Sequence, residues 1–282
     1  MNTLKLALPL MLALSAGCAH ADVIPFLGGA QQFVVLGAGA VTNTGATTLH
    51  GDLGVASGTS ITGTNSITFA SGGAIHEADA VASQAWSDAR AAYDRLAALD
   101  GGIDLSGQDL GGIGSLSAGI YRFTSSAGLT GGLTIDFAND PTGVVVFQIG
   151  STLTTAAGSV VNVINGTSSN GIYFQVGSSA TLGAGSAFAG NILAYQSVSF
   201  GAAASIGCGR ALATTVTMIG NTVSNDCNAW SPTGVAGDFG SAGYSGFGAA
   251  ALPPGEVPEP ATLALFGLGL CAAASLRRRR RA

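Results

Sequence analysis

The chain has 282 residues, including 44 glycines, with 9 % charged residues, 7 % aromatic residues and a formal net charge of −5. This composition is too apolar for a disordered chain and too rich in glycine for a helical domain. Between Asp22 and Glu256 there are four arginines against 14 acidic residues, a formal net charge of −10. Nucleic-acid binding is therefore excluded, because phosphate contacts need clustered lysine and arginine.

The first 21 residues have the pattern of a secretory signal peptide. Lys5 precedes the apolar run 6–16, and the small residues Ala19 and Ala21 come before a cleavage site at Asp22. Lipidation of Cys18 is an alternative, since residues 15–18 loosely resemble a lipobox. We expect a secreted domain over residues 22–227.

A repeat within this domain predicts its architecture. The stretches 179–182, 197–200 and 215–218 lie 18 residues apart, and each places two hydroxyl side chains on one side of a strand and two apolar side chains on the other. A fixed period of about 20 residues, with few apolar residues per unit, is typical of a β-solenoid. The fold class is therefore mostly β.

Other segments extend the repeat in both directions. Residues 145–150 match 172–177 at an offset of 27, which implies an extra loop around 165–170. Upstream, 42–47 aligns with 60–65, again 18 residues apart. Glycines 171, 190 and 209 recur at intervals of 19 and precede apolar segments that would form a second face of the same coils.

A helix over about 75–99 interrupts the coils. There the apolar period changes to 3.6 residues, and a stripe runs down one side of the helix. The stripe consists of Ala78, Val81, Ala82, Ala85, Ala89, Tyr93 and Leu96. Gly101 and Gly102 would end the helix. Because the stripe is mostly alanine, we expect the helix to pack closely along one side of the solenoid.

Two of the four cysteines, Cys208 and Cys227, lie in the predicted domain and are 19 residues apart, about one coil. Equivalent positions on adjacent coils are ~4.8 Å apart, within the Cα range of a disulfide. Export makes oxidation plausible. We therefore predict a bridge across the last coil, with free buried thiols as the alternative.

The C-terminal end has the pattern of a sorting signal. Residues 228–256 are a linker of Gly, Ser, Ala and Pro, and 257–282 contain Pro258-Glu259-Pro260, an apolar run over 261–276 and five arginines. The run spans ~24 Å as a helix, short of the ~30 Å hydrocarbon core. The segment resembles the PEP-CTERM signal of Gram-negative bacteria. That resemblance implies transient inner-membrane anchoring, exosortase processing and release to the cell surface or extracellular matrix; a permanent single-span anchor is the alternative.

Several motifs in the body resemble the microbial ice-binding β-solenoid family. They include 33–39, 75–80, 117–123, 146–151 and 209–213, and together they cover about 33–225. The resemblance implies a right-handed, discontinuous β-helix with one long α-helix packed alongside. It also implies binding to an ice crystal surface through one flat face. We further expect a monomer with no catalytic residue, metal or cofactor.

The repeated hydroxyl groups are the candidate ice-binding residues. Strand rungs repeat at ~4.8 Å and alternate side chains at ~6.6 Å, both close to repeat distances in the ice lattice. Threonine adds a methyl group on a stiff stem, so little entropy is lost on ordering. The candidates are Thr42, Thr44, Ser60, Thr62, Thr152, Thr154, Ser179, Thr181, Ser197, Ser199, Thr215 and Thr217.

Enzymatic functions find little support in the sequence. His76-Glu77 begins like a zinc-protease helix, but Ala80 stands where the second histidine belongs. Asp100, Asp104 and Asp109 could bind Ca²⁺ or be plain loop acids. The main alternative to ice binding is a structural or adhesive matrix solenoid that binds polysaccharide or other cells. A sugar-binding face usually shows exposed aromatic residues, and the predicted hydroxyl-bearing strands have none facing outward.

Overall fold

The structure is a computed structural model that describes residues 26–57, 60–70, 72–138, 140, 142–167 and 170–225. The predicted signal peptide, linker, sorting signal and Cys227 lie outside the described residues.

Twenty strands, two α-helices and two short 3-10 turns make up the described chain. The strands are β1 (Phe33–Thr44), β2 (Thr47–His50), β3 (Asp52–Val55), β4 (Ile61–Thr62), β5 (Ile67–Phe69), β6 (Ile75–Glu77), β7 (Ile103–Asp104), β8 (Ser115–Leu116), β9 (Gly119–Phe123), β10 (Ala127–Leu129), β11 (Gly132–Asp136), β12 (Val144–Ile149), β13 (Leu153–Thr155), β14 (Val160–Ile164), β15 (Gly171–Val176), β16 (Ser179–Leu182), β17 (Ala187–Ala194), β18 (Ser197–Phe200), β19 (Ser205–Ile219) and β20 (Thr222–Ser224). The helices are α1 (Ala80–Ala97) and α2 (Leu110–Ile113), and the 3-10 turns are Gly28–Gln32 and Thr64–Ser66.

All the strand pairings are parallel, and they divide the strands into three stacks. The helix face contains β7, β9, β12, β15, β3 and β6 with parts of β17, β19 and β1. The hydroxyl face contains β10, β13, β16, β18 and β4 with other parts of β19 and β1. The third face contains β8, β11, β14, β20, β2 and β5 with the first residues of β17 and β19. A chain coiled through three faces confirms the predicted mostly-β architecture of stacked parallel strands.

The order of the coils along the stack does not follow the order of the chain. β1 pairs with β3 on one side and with β19 on the other, so the first coil lies between the second and the last. Consequently β6 and β7, which flank α1 in sequence, lie at opposite ends of the helix face. The helix is the connection between these two ends.

The core is the narrow space inside the coils. On the helix face the inward positions of successive rungs are Tyr121, Phe147, Phe174, Ile192, Ala211, Val35 and Leu53, all buried. Three of them form an aromatic stack, with ring centroids 5.5 Å apart for Tyr121 and Phe147 and 4.5 Å apart for Phe147 and Phe174. The 18-residue repeat over 179–218, the 27-residue repeat between 145–150 and 172–177, and the 19-residue step from Gly190 to Gly209 are confirmed by the register. The 19-residue step predicted from Gly171 to Gly190 is wrong, because β15 pairs with β17 at an offset of 18.

The glycines that recur near the start of the helix-face segments have a steric role. Gly190 pairs with Gly209, and both have positive φ, of 116° and 149°. A Cβ on Gly209 would collide with the backbone of Gly190. Only glycine fits this close approach at a positive φ.

The predicted helix is confirmed, but its start is corrected. Residues 75–77 form β6, which pairs with β3, and Ala78 has a φ of 53°. The helix begins at Ala80 because the Asp79 side chain caps it, accepting a hydrogen bond from Ala82 N at 2.7 Å. The buried stripe is Ala82, Ala85, Ala89, Ala92 and Leu96, whereas Val81 is exposed.

Polar side chains of the helix face hold the C-terminal end of α1. Gln148 Nε2 donates to the Leu96 and Leu99 carbonyl oxygens at 2.6 Å and 2.9 Å. Arg122 donates to the same Leu99 oxygen and, through Nε, to Gln148 Oε1 at 2.6 Å. These carbonyl groups lie at the C-terminal end of α1, where the regular helical donors run out, and the Leu96 oxygen accepts only from the backbone of the last turn. The side-chain bonds therefore fix α1 along the helix face, as the sequence predicts.

The register predicted for the first two coils is wrong by two residues. Thr42 pairs with Thr62 and Val41 with Ile61, a spacing of 20 rather than 18. The physical reason is Asn43, which is buried at the corner and donates to the Gly63 carbonyl at 3.2 Å and to Ser66 Oγ at 3.0 Å. The 18-residue alignment would have placed the apolar Ile61 against this polar corner.

The cap of α1 makes its stability pH-dependent. The hydrogen bond from Ala82 N, followed by that from His76, lowers the pKa of Asp79. A carboxylate with a lowered folded-state pKa stabilises the fold above its unfolded pKa of about 4, and this contribution is lost as the pH falls through the folded value. We therefore expect Asp79→Asn, which keeps an oxygen acceptor, to have a lower unfolding midpoint than the wild type at pH 7. The difference should shrink as the pH falls below the unfolded value of about 4; a constant difference would contradict this origin.

Two further predictions concern segments beyond the described chain. Cys208 is buried and disulfide-bonded, while Cys18, Cys227 and Cys271 all lie outside the described residues. Its pairing with Cys227 stays a prediction. Within the described residues, no helix has the length and apolarity needed to span a membrane, and the predicted run at 261–276 falls outside them.

Candidate functional site

A continuous column of hydroxyl side chains runs down the centre of the hydroxyl face. Each member pairs directly with the next, across six successive rungs. The members are Thr154, Thr181, Ser199, Thr217, Thr42 and Thr62. At ~4.8 Å per rung the column is ~24 Å long. Five of the six side chains are exposed, and Ser199 is half-buried.

A second column lies beside the first, two residues earlier on each strand. Ser179, Ser197 and Thr215 are paired in register, and the Ser197 hydroxyl donates to Ser179 Oγ at 2.9 Å. Thr152 Oγ1 extends it by donating to Ser126 Oγ at 2.8 Å. The column is interrupted where Ala40 pairs with Thr215. The two columns together form a strip of hydroxyl and methyl groups.

The backbone positions of this strip are fixed by the inward residues of the same strands. Between the hydroxyl positions, Ala127, Leu153, Ala180, Val198, Val216 and Val41 point inward and are buried. Apolar residues alternate with Ser and Thr along these strands, so each strand points its apolar side chains into the core and its hydroxyl side chains to solvent. The strip is therefore built on a packed core rather than on loops.

The hydroxyl face carries no charge among its described residues. None of β10, β13, β16, β18, β4, Thr215–Ile219 of β19 or Ala40–Thr44 of β1 contains Asp, Glu, Lys, Arg or His. An ionic ligand would find no partner here. The surface can offer only hydroxyl hydrogen bonds and methyl contacts.

Eleven of the candidate hydroxyls lie at positions of these two columns, and one, Thr44, lies elsewhere. Thr44 is exposed but pairs with Ile219 at the edge of the face, and its Oγ1 donates to the Met218 carbonyl at 3.3 Å. Ser60 precedes Ile61, and its carbonyl accepts from Val41 N at 2.9 Å, so it lies beside Ala40 and not above Thr42 as predicted. It continues the second column on the other side of Ala40. The remaining ten comprise the central column plus Thr152, Ser179, Ser197 and Thr215.

Sequence reasoning missed a shorter hydroxyl column on the third face. Ser205, Thr222, Thr48 and Thr68 pair in succession, and Thr222 and Thr68 are exposed. The period-2 alternation in β2 and the 20-residue spacing from Thr48 to Thr68 could have revealed it. This column ends at Ala187 and Val160, so it is shorter than the one on the hydroxyl face.

Two of the three acidic loop residues considered for Ca²⁺, Asp104 and Asp109, are used in turns. Asp109 accepts hydrogen bonds from Gly111 N and Thr130 N, each at 2.9 Å, and Asp104 accepts from Ser106 N at 2.9 Å. Among the described residues, no group of three or more metal-ligating side chains comes together. His76 bonds Asp79 Oδ2 through Nδ1 at 2.7 Å at the N-terminal end of α1.

The fold, a parallel β-solenoid with a helix along one face, is also found in solved structures of ice-binding proteins. An ice-binding protein from the Antarctic ascomycete Antarctomyces psychrotrophicus is 39 % identical, with a TM-score of 0.66, over 71 % of this chain and 97 % of that one. An ice-binding protein from an Arctic yeast is 29 % identical, with a TM-score of 0.61, over 73 % and 95 % of the two chains.

Sequence comparison agrees with the structural likeness. A protein from Nostoc sp. (strain HG1) called "Ice-binding protein" is 44 % identical over 211 residues, covering 74 % of this chain and 77 % of the relative. The model of the Ice-binding-like family matches residues 35–224, and that of the PEP-CTERM protein-sorting motif matches residues 256–281. The chain belongs to the Ice-binding-like family and carries a PEP-CTERM sorting motif.

Proposed function

We propose that this protein binds ice through the hydroxyl face and so inhibits ice growth and recrystallisation. The observation that carries this proposal is the continuous, uncharged central column, whose six hydroxyls repeat at the rung spacing. Membership of the Ice-binding-like family supports it, as do relatives described as ice-binding proteins.

The mechanism follows from the two chemical groups of the strip. Hydroxyls at regular spacing can hold water molecules by hydrogen bonds. The threonine methyl groups between them offer no hydrogen bond, so they limit the positions in which the water molecules are held. β-branched side chains are already stiff, so ordering the surface costs little entropy. Many weak contacts along ~24 Å then hold the protein on a growing crystal, where it curves the ice front and slows further growth.

A direct assay tests the proposal. The mature domain should shape ice crystals and suppress recrystallisation at low concentration, whereas bovine serum albumin at equal concentration should not. Normal growth and coarsening of ice in the presence of folded protein would overturn the function.

We also propose the finer architecture that the family resemblance implies, a right-handed, discontinuous β-helix, and we propose that the protein acts as a monomer. The position of β1 between β3 and β19 supports discontinuity. A crystal structure would test the handedness, and light scattering would test the monomeric state.

A disulfide between Cys208 and Cys227 would tie the end of the domain to the last coil. In the chain-entropy model, a closed loop of this length stabilises the fold by about 3 kcal/mol. Cys227→Ser should therefore lower the free energy of unfolding by about that amount and release one thiol for labelling. A variant with wild-type stability and no new reactive thiol would contradict the pairing.

The sorting motif suggests where ice binding takes place. We propose that the protein passes through the inner membrane of a Gram-negative bacterium, is held transiently by residues 261–276 and is released by an exosortase to the cell surface or matrix. The motif at 256–281 supports this route. Replacing Pro258-Glu259-Pro260 by alanines should leave the protein in the membrane fraction; unchanged release would contradict exosortase processing.

A further inference from the structure

Three residues of α1 and one distant residue form an aromatic cluster beside the hydroxyl face. The cluster consists of Trp86, Arg90 and Tyr93 on α1 and Tyr195, which directly follows β17. The Arg90 guanidinium carbon lies 4.9 Å from the Tyr93 ring centroid and 4.5 Å from that of Tyr195. The two tyrosine rings are 6.0 Å apart. The guanidinium thus makes cation–π contacts with both rings from one side of the pair.

The cluster is open to a ligand. Tyr195 is 47 % exposed, and the side chains of Arg90 and Asp94 are 39 % and 61 % exposed. Arg90 Nη2 lies 3.5 Å from Asp94 Oδ1, so a cation and a carboxylate stand together at the rim of the rings. The cavity between the cluster and the helix face is only about 10 Å³, room for one water molecule. A ligand would therefore lie across the surface of the cluster rather than inside a pocket.

We propose that the aromatic cluster is a carbohydrate-binding site that takes neutral sugar residues of a polysaccharide. Aromatic rings offer a flat apolar surface for the C–H face of a sugar ring. The planar guanidinium donates and the Asp94 carboxylate accepts hydrogen bonds, which suits the paired hydroxyls of a sugar. Trp, Tyr and Arg are also the residues that most often dominate binding energy at recognition surfaces.

Charge decides which polysaccharide is favoured. The described residues contain four arginines, of which Arg210 is buried, against ten acidic residues. A negative body repels polyanions, and Arg90 is already paired with Asp94. The site therefore selects neutral sugars over uronate polymers.

The aromatic cluster is placed so that a polysaccharide bound to it would leave the hydroxyl face uncovered. Tyr195 lies two residues before Ser197, at the corner between the helix face and the hydroxyl face, and its carbonyl accepts from Thr214 Oγ1 at 2.9 Å. A polysaccharide bound at this corner would lie beside the ice-contacting strip rather than over it. The sugar site does not depend on the ice-binding proposal.

Isothermal titration of the mature domain tests the site with three neutral polymers (dextran, amylose and galactomannan) and with polygalacturonate. At least one neutral polymer should bind, and Tyr195→Ala should weaken that binding about tenfold or more. Arg95→Ala is the matched control, because it removes the other exposed arginine of α1 and should bind like the wild type. Thr181→Tyr should keep full sugar binding, which separates this site from the hydroxyl face.

Three results would overturn the proposal. They are no binding of any neutral polymer, binding of polygalacturonate in preference to all of them, and wild-type affinity in Tyr195→Ala with an unchanged unfolding midpoint. The last result would show that the cluster serves only to hold α1 against the helix face.

Discussion

Replacing Thr181 by tyrosine is expected to abolish most ice-binding activity while leaving the fold intact. Thr181 is exposed at the second of the six rungs of the central column and pairs with Thr154 and Ser199. A tyrosine ring would project above the strip and hold the neighbouring hydroxyls away from the ice surface. Because adsorption requires many aligned contacts, we expect the concentration needed to stop recrystallisation to rise about tenfold or more, equivalent to ~1.4 kcal/mol or more of adsorption energy.

A matched control is available on the third face. Thr222 is also exposed and pairs with hydroxyl residues on both sides, Ser205 and Thr48. Thr222→Tyr should retain wild-type activity, and both variants should keep the wild-type unfolding midpoint because neither side chain is packed in the core. Loss of activity in Thr222→Tyr with full activity in Thr181→Tyr would move the ice contact to the third face.

The second large effect is on stability. Phe174 is fully buried on the helix face, with ring centroids 4.5 Å from Phe147 and 4.7 Å from Phe188. Phe174→Ala should lower the free energy of unfolding by about 3–5 kcal/mol, since it removes a large buried side chain from a core that cannot close around the cavity. Urea unfolding followed by circular dichroism gives the measurement.

Ile164→Ala is the comparison for this substitution. Ile164 ends β14 and is 40 % exposed, so its truncation should change stability by no more than about 0.5 kcal/mol. A loss of less than about 1 kcal/mol in Phe174→Ala would show that the solenoid core tolerates cavities. Below its unfolding midpoint, Phe174→Ala should still bind ice, because the hydroxyl columns lie on another face.

Much of the hydroxyl face follows from the sequence because a strand alternates its side chains with a strict period of two. That period, combined with the 18-residue repeat, is enough to place Ser179, Ser197 and Thr215 in one column and Thr181, Ser199 and Thr217 in the next. The prediction was less accurate for the first coils, where Thr44 lies at the edge of the face and Ser60 lies beside Ala40 instead of Thr42. There the coil length is set by the buried side chain of Asn43, which a repeat pattern does not reveal.

Local sequence also determined that residues near 80–97 form a helix, through the alanine stripe and the Asp79 cap. The tertiary structure decided where that helix lies, because its path depends on the order of the coils. β1 fits between β3 and β19, which sends β6 and β7 to opposite ends of the helix face and requires α1 to run between them. The same packing brings Tyr195 to Arg90 and Tyr93, about a hundred residues away in the chain. Periodicity encodes which side of a strand a residue faces, but contacts between distant segments arise only when the coils stack, and so only the tertiary structure reveals the aromatic cluster.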